Sequence, residues 1–387
     1  MPWKETCPMD EKIQFIAAVT ADPRGNFTEL CARFGISRAK GYKWVRRYNE
    51  LGPAGLEARK PIAQACPHRT PDDIVDRILA MRKRHPYDGP KKLRSRLTKT
   101  DAGLALPAAS TIGDILKRHG LIRPRRARLR VPPSAHPLAH ATAPNDVWCT
   151  DFKGNFLLGD GARCYPLTIT DAATRYLIKC EGMLQPRHEP VKEHFERAFR
   201  EFGLPCAIRS DNGPPFATKM LGGLSSLAVW WIRLGIVPER IEPGKPQQNG
   251  RHERFHRTLG EQTASPPRGT LTSQQRAFDL FRRDYNDERP HEALGQETPS
   301  AHYEASLRVM PDRLSTPEYP EDYVVRWVWE SGQFNWKGGA HNAGKALGKQ
   351  PLGFHQIDQD EWEIFYGPIL IGYAGVKDGV GVIERID

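Results

Sequence analysis

Three carboxylates, Asp151, Asp211 and Glu253, stand where an α/β frame would bring them together. Asp146-Val-Trp-Cys-Thr-Asp151 predicts a short strand ending in an acid, and Cys206-Ala-Ile-Arg-Ser-Asp211 predicts another. Pro243-Gly-Lys-Pro-Gln-Gln-Asn-Gly250 leads into a helix bearing Glu253. Acids at two strand ends and one helix start can converge while far apart in sequence. With no thiol and no obligatory histidine they make a hard oxygen site suited to Mg2+ or Mn2+. Two such ions in one site drive in-line displacement at phosphorus. No single acid carries this reading, since Asp211-Asn212-Gly213 also reads as a plain turn.

Two other motifs compete. His252-Glu253-Arg-Phe-His256 satisfies the H-E-x-x-H zinc pattern, in which two histidines share a helix face and the glutamate is the general base. Against it, no third histidine follows at the longer metzincin spacing, and Arg251, Arg254 and Arg257 flank the helix. A basic helix suits phosphate better than a peptide, so a zinc metallopeptidase is the minor alternative. The plain reading of the two histidines is DNA contact or packing beside the acids. Gly339-Ala-His-Asn-Ala-Gly344-Lys345-Ala346 nearly fits a P-loop, but Ala346 stands where Ser or Thr must ligate Mg2+. It reads as a loop.

The elements that position these acids belong to a chain of 387 residues with a net charge of +11. That length predicts two to four domains. Hydrophobic residues at 39% and charged residues at 27% exclude a disordered chain. No apolar run approaches the ~20 residues that cross a bilayer, and the N-terminus has no apolar leader, so membrane and secreted readings are excluded. The cysteines (7, 31, 66, 149, 164, 180 and 206) form no C-x-x-C pair. Reduced thiols in a cytoplasmic protein are expected. Residues 1–130 carry 28 Lys+Arg against 13 Asp+Glu, a net of +15, while the rest is mildly acidic. A basic front end of this kind predicts a polyanion partner, with nucleic acid the default.

Residues 27–48 predict helix, turn, helix, with Gly35 at the turn and Ser37 as N-cap. Tyr42, Val45 and Tyr48 form the expected apolar stripe, leaving Arg38, Lys40, Lys43 and Arg46 for DNA, as in a helix-turn-helix. A second helical unit is expected to open at Thr70-Pro71-Asp72-Asp73, with proline at the first helical position, and to hold another helix from Ser110 to a glycine stop at Gly120. A proline-rich linker follows, whose Arg125, Arg126, Arg128 and Arg130 would track phosphates. Beyond residue 320, Tyr323–Trp329, Trp362–Tyr366 and Ile369–Tyr373 predict a small β unit.

Val147-Trp-Cys-Thr-Asp151-Phe-Lys-Gly154, Arg209-Ser-Asp211-Asn-Gly213-Pro-Pro-Phe216 and Pro246-Gln-Gln-Asn-Gly-Arg-His-Glu253-Arg-Phe-His-Arg257 resemble the three signature segments of DDE integrase-core transposases of bacterial insertion sequences, related to retroviral integrases. Tyr285-Asn-Asp-Glu-Arg-Pro-His291-Glu-Ala-Leu and Thr298-Pro-Ser-Ala301 resemble the tail of that core. The resemblance implies a multidomain chain: N-terminal all-α helix-turn-helix units, a central α/β ribonuclease H-like catalytic core, and a small all-β SH3-like barrel at the C-terminus. The expected boundaries are 1–60, 61–122, a linker at 123–144, 145–305 and 320–387. It further implies Asp151, Asp211 and Glu253 as a catalytic triad holding two Mg2+ or Mn2+ ions, and DNA contacts from Lys245, Gln248, Asn249 and Arg251. The reaction would be metal-dependent strand cleavage at element ends, then attack of the freed 3′-hydroxyl on target DNA. Expected partners are double-stranded DNA, as element ends and as target, and further copies of the chain in a synaptic complex. An accessory ATPase or host factor is left open, and the location would be the bacterial nucleoid. The 42 positions from Asp211 to Glu253 exceed the usual spacing, and a helix over 220–232 is expected to absorb the excess. The competing class is a non-catalytic DNA-binding repressor or architectural protein.

Overall fold

The computed structural model describes residues 7–57, 69–122, 138, 140–241, 250–377 and 379–386, and only the backbone of Gly250 and Arg251. The chain forms two compact units, residues 1–70 and 71–387.

The first unit holds α1 (Pro8–Ala21), α2 (Phe27–Arg33) and α3 (Arg38–Leu51). Asn26 caps α2, and Ser37 caps α3 by accepting the Lys40 N–H at 3.3 Å. Gly35 turns the chain at φ +60°, a conformation that suits glycine. Phe15, Ile16, Cys31 and Leu56 are buried, with Leu30, Phe34, Trp44, Val45 and Tyr48 packed against them. The apolar stripe of α3 differs from expectation at Tyr42, which is 54% exposed and stacks on Phe27 with centroids 4.3 Å apart. The stripe instead runs through Gly41, because α2 crosses there: a Cβ at 41 would lie 2.6 Å from Cys31 Sγ.

The second unit opens with α4 (Asp72–Arg84), α5 (Pro90–Thr100) and α6 (Ala109–Arg118). Pro71 is the N-cap of α4, one position before its expected place. Asp72 and Asp73 in the first turn and Arg82, Lys83 and Arg84 in the last match the helix dipole. Ile74, Ile78, Leu93, Leu97, Ile112, Ile115 and Leu116 make one small core. Arg82 ties the unit together, donating to Asp88 O and Leu121 O.

A mixed sheet follows: β1 (Val147–Phe152), β2 (Phe156–Leu157), β3 (Arg163–Asp171), β4 (Leu177–Met183), β5 (Ala207–Ser210) and β6 (Val237–Arg240). The order is β2-β3-β1-β5-β6, with β4 also on β3. β4, β3 and β1 pair antiparallel, while β1, β5 and β6 run parallel. Parallel neighbours need crossovers, and α7 (His188–Phe202) and α8 (Ser226–Arg233) occupy the stretches before β5 and β6. Both pack on Trp148, Leu167, Ile169 and Ile208. α9 (Gly250–Thr263) and α10 (Leu271–Arg283) form the other layer, on Cys164, Leu177 and Cys180. The helix expected over 220–232 is shorter. Gly222 and Gly223 have φ near +60°, and a Cβ on Gly222 would strike Ile371 at 2.6 Å, so α8 starts only after its cap at Ser225.

A strap then crosses the core: Ser306 N–H donates to Phe202 O, and Arg308 to Pro205 O and Gly235 O. It leads to β7 (Tyr323–Trp327), β8 (Gln333–Trp336), β9 (Gly339–Asn342), β10 (Pro351–Asp358), β11 (Glu361–Tyr366), β12 (Ile369–Lys377) and β13 (Val380–Arg385). These make a five-stranded antiparallel sheet, β13-β12-β11-β10-β7, and a separate β8-β9 hairpin. The stretch resembling a P-loop is not simply a loop: it is β9 and one short turn at Lys345–Leu347, with no helix behind it to hold a phosphate. Among the described residues no helix is long and apolar enough to cross a membrane.

Candidate active site

β1 and β5 pair in parallel with Val147 opposite Ala207, Trp148 opposite Ile208 and Cys149 opposite Arg209. Continued two residues beyond the last of these rungs, that register leads to Asp151 on β1 and to Asp211, just past the end of β5. Both acids therefore lie at the carboxyl ends of adjacent parallel strands, where open α/β sheets place ligands. β6 supports this edge. The guanidinium of Arg209 donates to Glu239 Oε2 from Nε at 3.0 Å and Nη2 at 2.8 Å, and Asn212 Nδ2 donates to Ile241 O at 2.7 Å. These contacts fix the turn that carries Asp211.

The two carboxylates sit in different surroundings. Asp211 is half-buried, and its Oδ1 has no hydrogen-bond partner among the described residues. Burial pushes its pKa up, opposed by the Gly213 N–H. A hard cation would satisfy such a buried carboxylate oxygen that has no donor. Asp151 is paired across β3 with Thr168, whose hydroxyl donates to Asp151 O at 3.1 Å.

α9 packs over this point. Its buried side carries His252, Phe255 and Leu259, and Glu253 in the first turn is exposed. Both histidines turn toward Thr168: His256 Nε2 is 2.9 Å from its Oγ1 and His252 Nε2 is 3.5 Å away. His256 Nδ1 lies 3.9 Å from Asp151 Oδ2. Burial lowers the pKa of His252 to about 4, and burial with His252 and Lys153 lowers that of His256 to about 2. The H-E-x-x-H histidines thus face the sheet as neutral rings, and the glutamate between them faces away. Among the described residues no three His, Cys, Asp or Glu side chains are gathered closely enough to hold a metal ion together.

Arg38, Lys40, Lys43 and Arg46 are all exposed on α3, with Arg46 4.0 Å from Glu50. Arg125, Arg126, Arg128, Arg130, Lys245, Gln248 and Asn249 lie outside the described residues, as does the side chain of Arg251. Thr168 and Lys153 went unnoticed in the sequence. Thr168 is one of several β-strand threonines, and only the pairing of β3 with β1 singles it out. Lys153 lies inside the first signature segment, two residues past Asp151, and packs against α9, where a Cβ on Gly260 would meet its Nζ at 2.9 Å.

The strand order, the two helical layers and the level pair of acids define a ribonuclease H-like integrase core. Residues 141–246 and 234–299 each match an integrase core domain, residues 11–61 a helix-turn-helix domain and residues 40–116 a homeodomain-like domain. Residues 141–299 thus carry an integrase core, and the chain is similar to proteins of insertion elements and to retroviral polyproteins. It is 32% identical over 180 residues to the insertion element IS407 31.7 kDa protein of Burkholderia multivorans, covering 46% of this chain and 62% of that protein. It is 29% identical over 203 residues to the insertion element IS476 39.2 kDa protein of Xanthomonas euvesicatoria, covering 52% and 56%. The chain thus spans less than two thirds of the length of these relatives. The Gag-Pol polyprotein of baboon endogenous virus is 29% identical over 175 residues, 45% of this chain and 10% of the polyprotein. The HTLV-2 integrase catalytic core domain in complex with magnesium aligns with 14% identity and a TM-score of 0.33, over 42% of this chain and 97% of that one. The simian T-cell lymphotropic virus intasome with PP2A regulatory subunit B56 gamma aligns with 16% identity and a TM-score of 0.38, over 79% and 95%.

Proposed function

We propose that the chain is a transposase that binds the terminal repeats of a mobile DNA element, cuts a strand there and joins it to target DNA. The level placement of Asp151 and Asp211 on adjacent parallel strands carries this reading. Asp151, Asp211 and Glu253 would hold Mg2+ or Mn2+, two ions per site, and the orphaned Asp211 oxygen supports that fit. Bound divalent ions supply Lewis-acid charge for an attacking oxygen and a departing one. Water opens a phosphodiester at the element end and leaves a 3′-hydroxyl. That hydroxyl then attacks a target phosphodiester and displaces its 3′-oxygen. One bond of a kind replaces another, so no ATP is consumed. The exposed Arg254 and Arg257 beside Glu253 are placed to meet phosphate.

Arg38, Lys40, Lys43 and Arg46 enter the major groove. Arg125, Arg126, Arg128, Arg130, Lys245, Gln248, Asn249 and Arg251 add backbone contacts. The five-stranded sheet with its hairpin serves as an SH3-like module over 320–387, behind helical modules at 1–60 and 61–122, a linker at 123–144 and the core at 145–305. Two element ends must be held at once, which calls for several copies of the chain on the nucleoid.

The second reading, a DNA-binding protein without strand chemistry, is favoured by the exposure of Glu253 and by there being no gathered set of three metal-ligand side chains among the described residues. A nicking and joining assay on the element's own end sequence, with Mg2+ or Mn2+, separates the two. Wild type should give cut and joined products that EDTA abolishes. Asp151→Asn and Asp211→Asn should each lose about 100-fold or more in rate, several kcal/mol of charge stabilisation, with DNA affinity unchanged or slightly raised. Tight binding without products from wild type would leave the non-catalytic reading standing. Equal loss of binding and chemistry would make the aspartates structural.

A further inference from the structure

Helix α5 carries Lys91, Lys92, Arg94, Arg96 and Lys99 and no acid. In a DNA-binding unit such a helix reads as the one that tracks phosphates. Here it lies against protein. The segment after α10, residues 284–297, bears Asp284, Asp287, Glu288, Glu292 and Glu297. Arg96, 7% exposed, donates Nε to Asp88 Oδ2 at 2.7 Å and Nη2 to Asp284 Oδ1 at 3.1 Å, with Glu288 Oε2 3.7 Å from its Nη1. Asp88, 2% exposed, has Arg289 Nη2 3.9 Å from its other oxygen. At the rim Lys91 pairs with Glu292, Lys99 Nζ reaches Glu297 Oε2 at 2.9 Å, and Ser95 Oγ lies 3.5 Å from Gln296 O.

Positions 91, 95 and 99 recur every four residues, so these contacts line one stripe of the helix. Leu93 and Leu97 occupy another, inside the α4–α6 core. The stripe that would face a DNA backbone is thus taken by carboxylates of the same chain. On α6, by contrast, Ile112, Ile115 and Leu116 are buried while Ser110, Asp114, Lys117 and Arg118 are exposed.

We infer that residues 284–297 are the built-in partner of α5 and fix the α4–α6 unit on the core. DNA reading by that unit then falls to α6, held at a set distance from Asp151 and Asp211, and this distance selects the phosphodiester that is cut. The last step rests on the proposed strand chemistry, whereas the docking does not. Arg96 and Asp88 are paired within the α4–α6 unit, and Asp284, Glu288 and Arg289 close over that buried pair from the core side, so undocking strips each of its second partner.

The test uses the full chain in three forms: Lys91→Glu/Lys99→Glu, Glu292→Lys/Glu297→Lys, and all four changes together. All four side chains are exposed, so folding is not at stake. Without DNA, each double variant should speed amide exchange in α5 and in 284–297 by about threefold to tenfold, and the fourfold variant should return to wild-type rates. On end DNA, each double variant should spread cutting over neighbouring phosphates, and the fourfold variant should restore one position with wild-type affinity. Unchanged exchange in both double variants would overturn the docking. So would affinity lost in Lys91→Glu/Lys99→Glu and still absent in the fourfold variant, since that assigns α5 to phosphate. A wild type that cuts nothing would remove the proposed function, and the exchange result alone would then decide the docking.

Discussion

Two attached parts meet the core by opposite means. At α8 the C-terminal sheet shares a hydrophobic interior with it: Leu227, Trp230 and Trp231 face the mixed sheet, while Ala228, Val229 and Ile232 join Phe334, Trp336, Phe354, Ile364 and Tyr366. A helix buried on both sides must be apolar all round, which is why Leu-Ala-Val-Trp-Trp-Ile reads as it does. At α5 the joint is ionic: Asp284 and Glu288 reach the buried Arg96, Arg289 approaches the buried Asp88, and the rim holds pairs such as Lys99–Glu297, whose side chains are 43% and 52% exposed. Apolar burial contributes roughly 25 cal/mol per Å2 and does not respond to screening. An exposed ion pair contributes about 0.2–1 kcal/mol and does. The C-terminal sheet should therefore melt with the core, and the α4–α6 unit should answer to solvent conditions.

The sharpest way to break this contrast is Trp231→Ala. Trp231 is fully buried, with its ring 5.1 Å from Phe195, and its loss should cost about 3–5 kcal/mol. Urea unfolding followed by exchange should show the mixed sheet and the C-terminal sheet destabilised in one transition. A C-terminal sheet that keeps its wild-type protection would refute the shared interior.

Acid should act on the other joint. His291, within the docking segment, is lowered to about 3 by burial, then by Lys92 and Arg289, from an ordinary value of ~6.5. The unfolded chain takes up that proton first. The contribution is thus fully present above pH ~6.5 and is lost as pH falls toward 3, by up to about 1.4 kcal/mol per pH unit. His291→Gln should show a smaller drop in Tm between pH 7 and 4.5 than wild type. His252 and His256 share the same sign and keep the residual slope above zero. An identical slope in both proteins would mean that His291 titrates normally.

The smallest effect is that of salt. From 0.1 M to 1 M the screening length shrinks from about 10 Å to 3 Å. Amide exchange in α5 should quicken by no more than about fivefold, the loss of less than 1 kcal/mol from the rim pairs. Exchange in α8 should not quicken. Equal responses would erase the distinction between the joints.

The strand-end acids were legible because short strand-like runs lead to Asp151 and Asp211, and the helix bearing Glu253 was legible from the Pro/Gly-rich lead-in that precedes it. Their relative level was not, since it depends on pairing between segments about sixty residues apart. α5 escaped notice because Leu93 and Leu97 are too few to mark an apolar face, even with Pro90 as a start signal. The carboxylates that complete it lie some 200 positions downstream. The H-E-x-x-H spacing put both histidines on one face, as read, but only β3 reveals that this face points at Thr168. The helix before β6 was drawn too long because Gly222-Gly223 looks tolerable inside an apolar run until Ile371 is seen against it.

The pairing of β1 with β5 also makes the chain between them expendable for one purpose. Neighbouring strands lie about 4.8 Å apart whatever side chains they carry, so the gap between the two carboxylates is kept by a backbone ruler. The hairpin strands and the long helix encoded between residues 153 and 206 can drift in sequence and length without resetting that ruler, provided the three matched rungs from Val147 to Cys149 persist. The surroundings of the two acids can thus vary while their spacing stays in gauge.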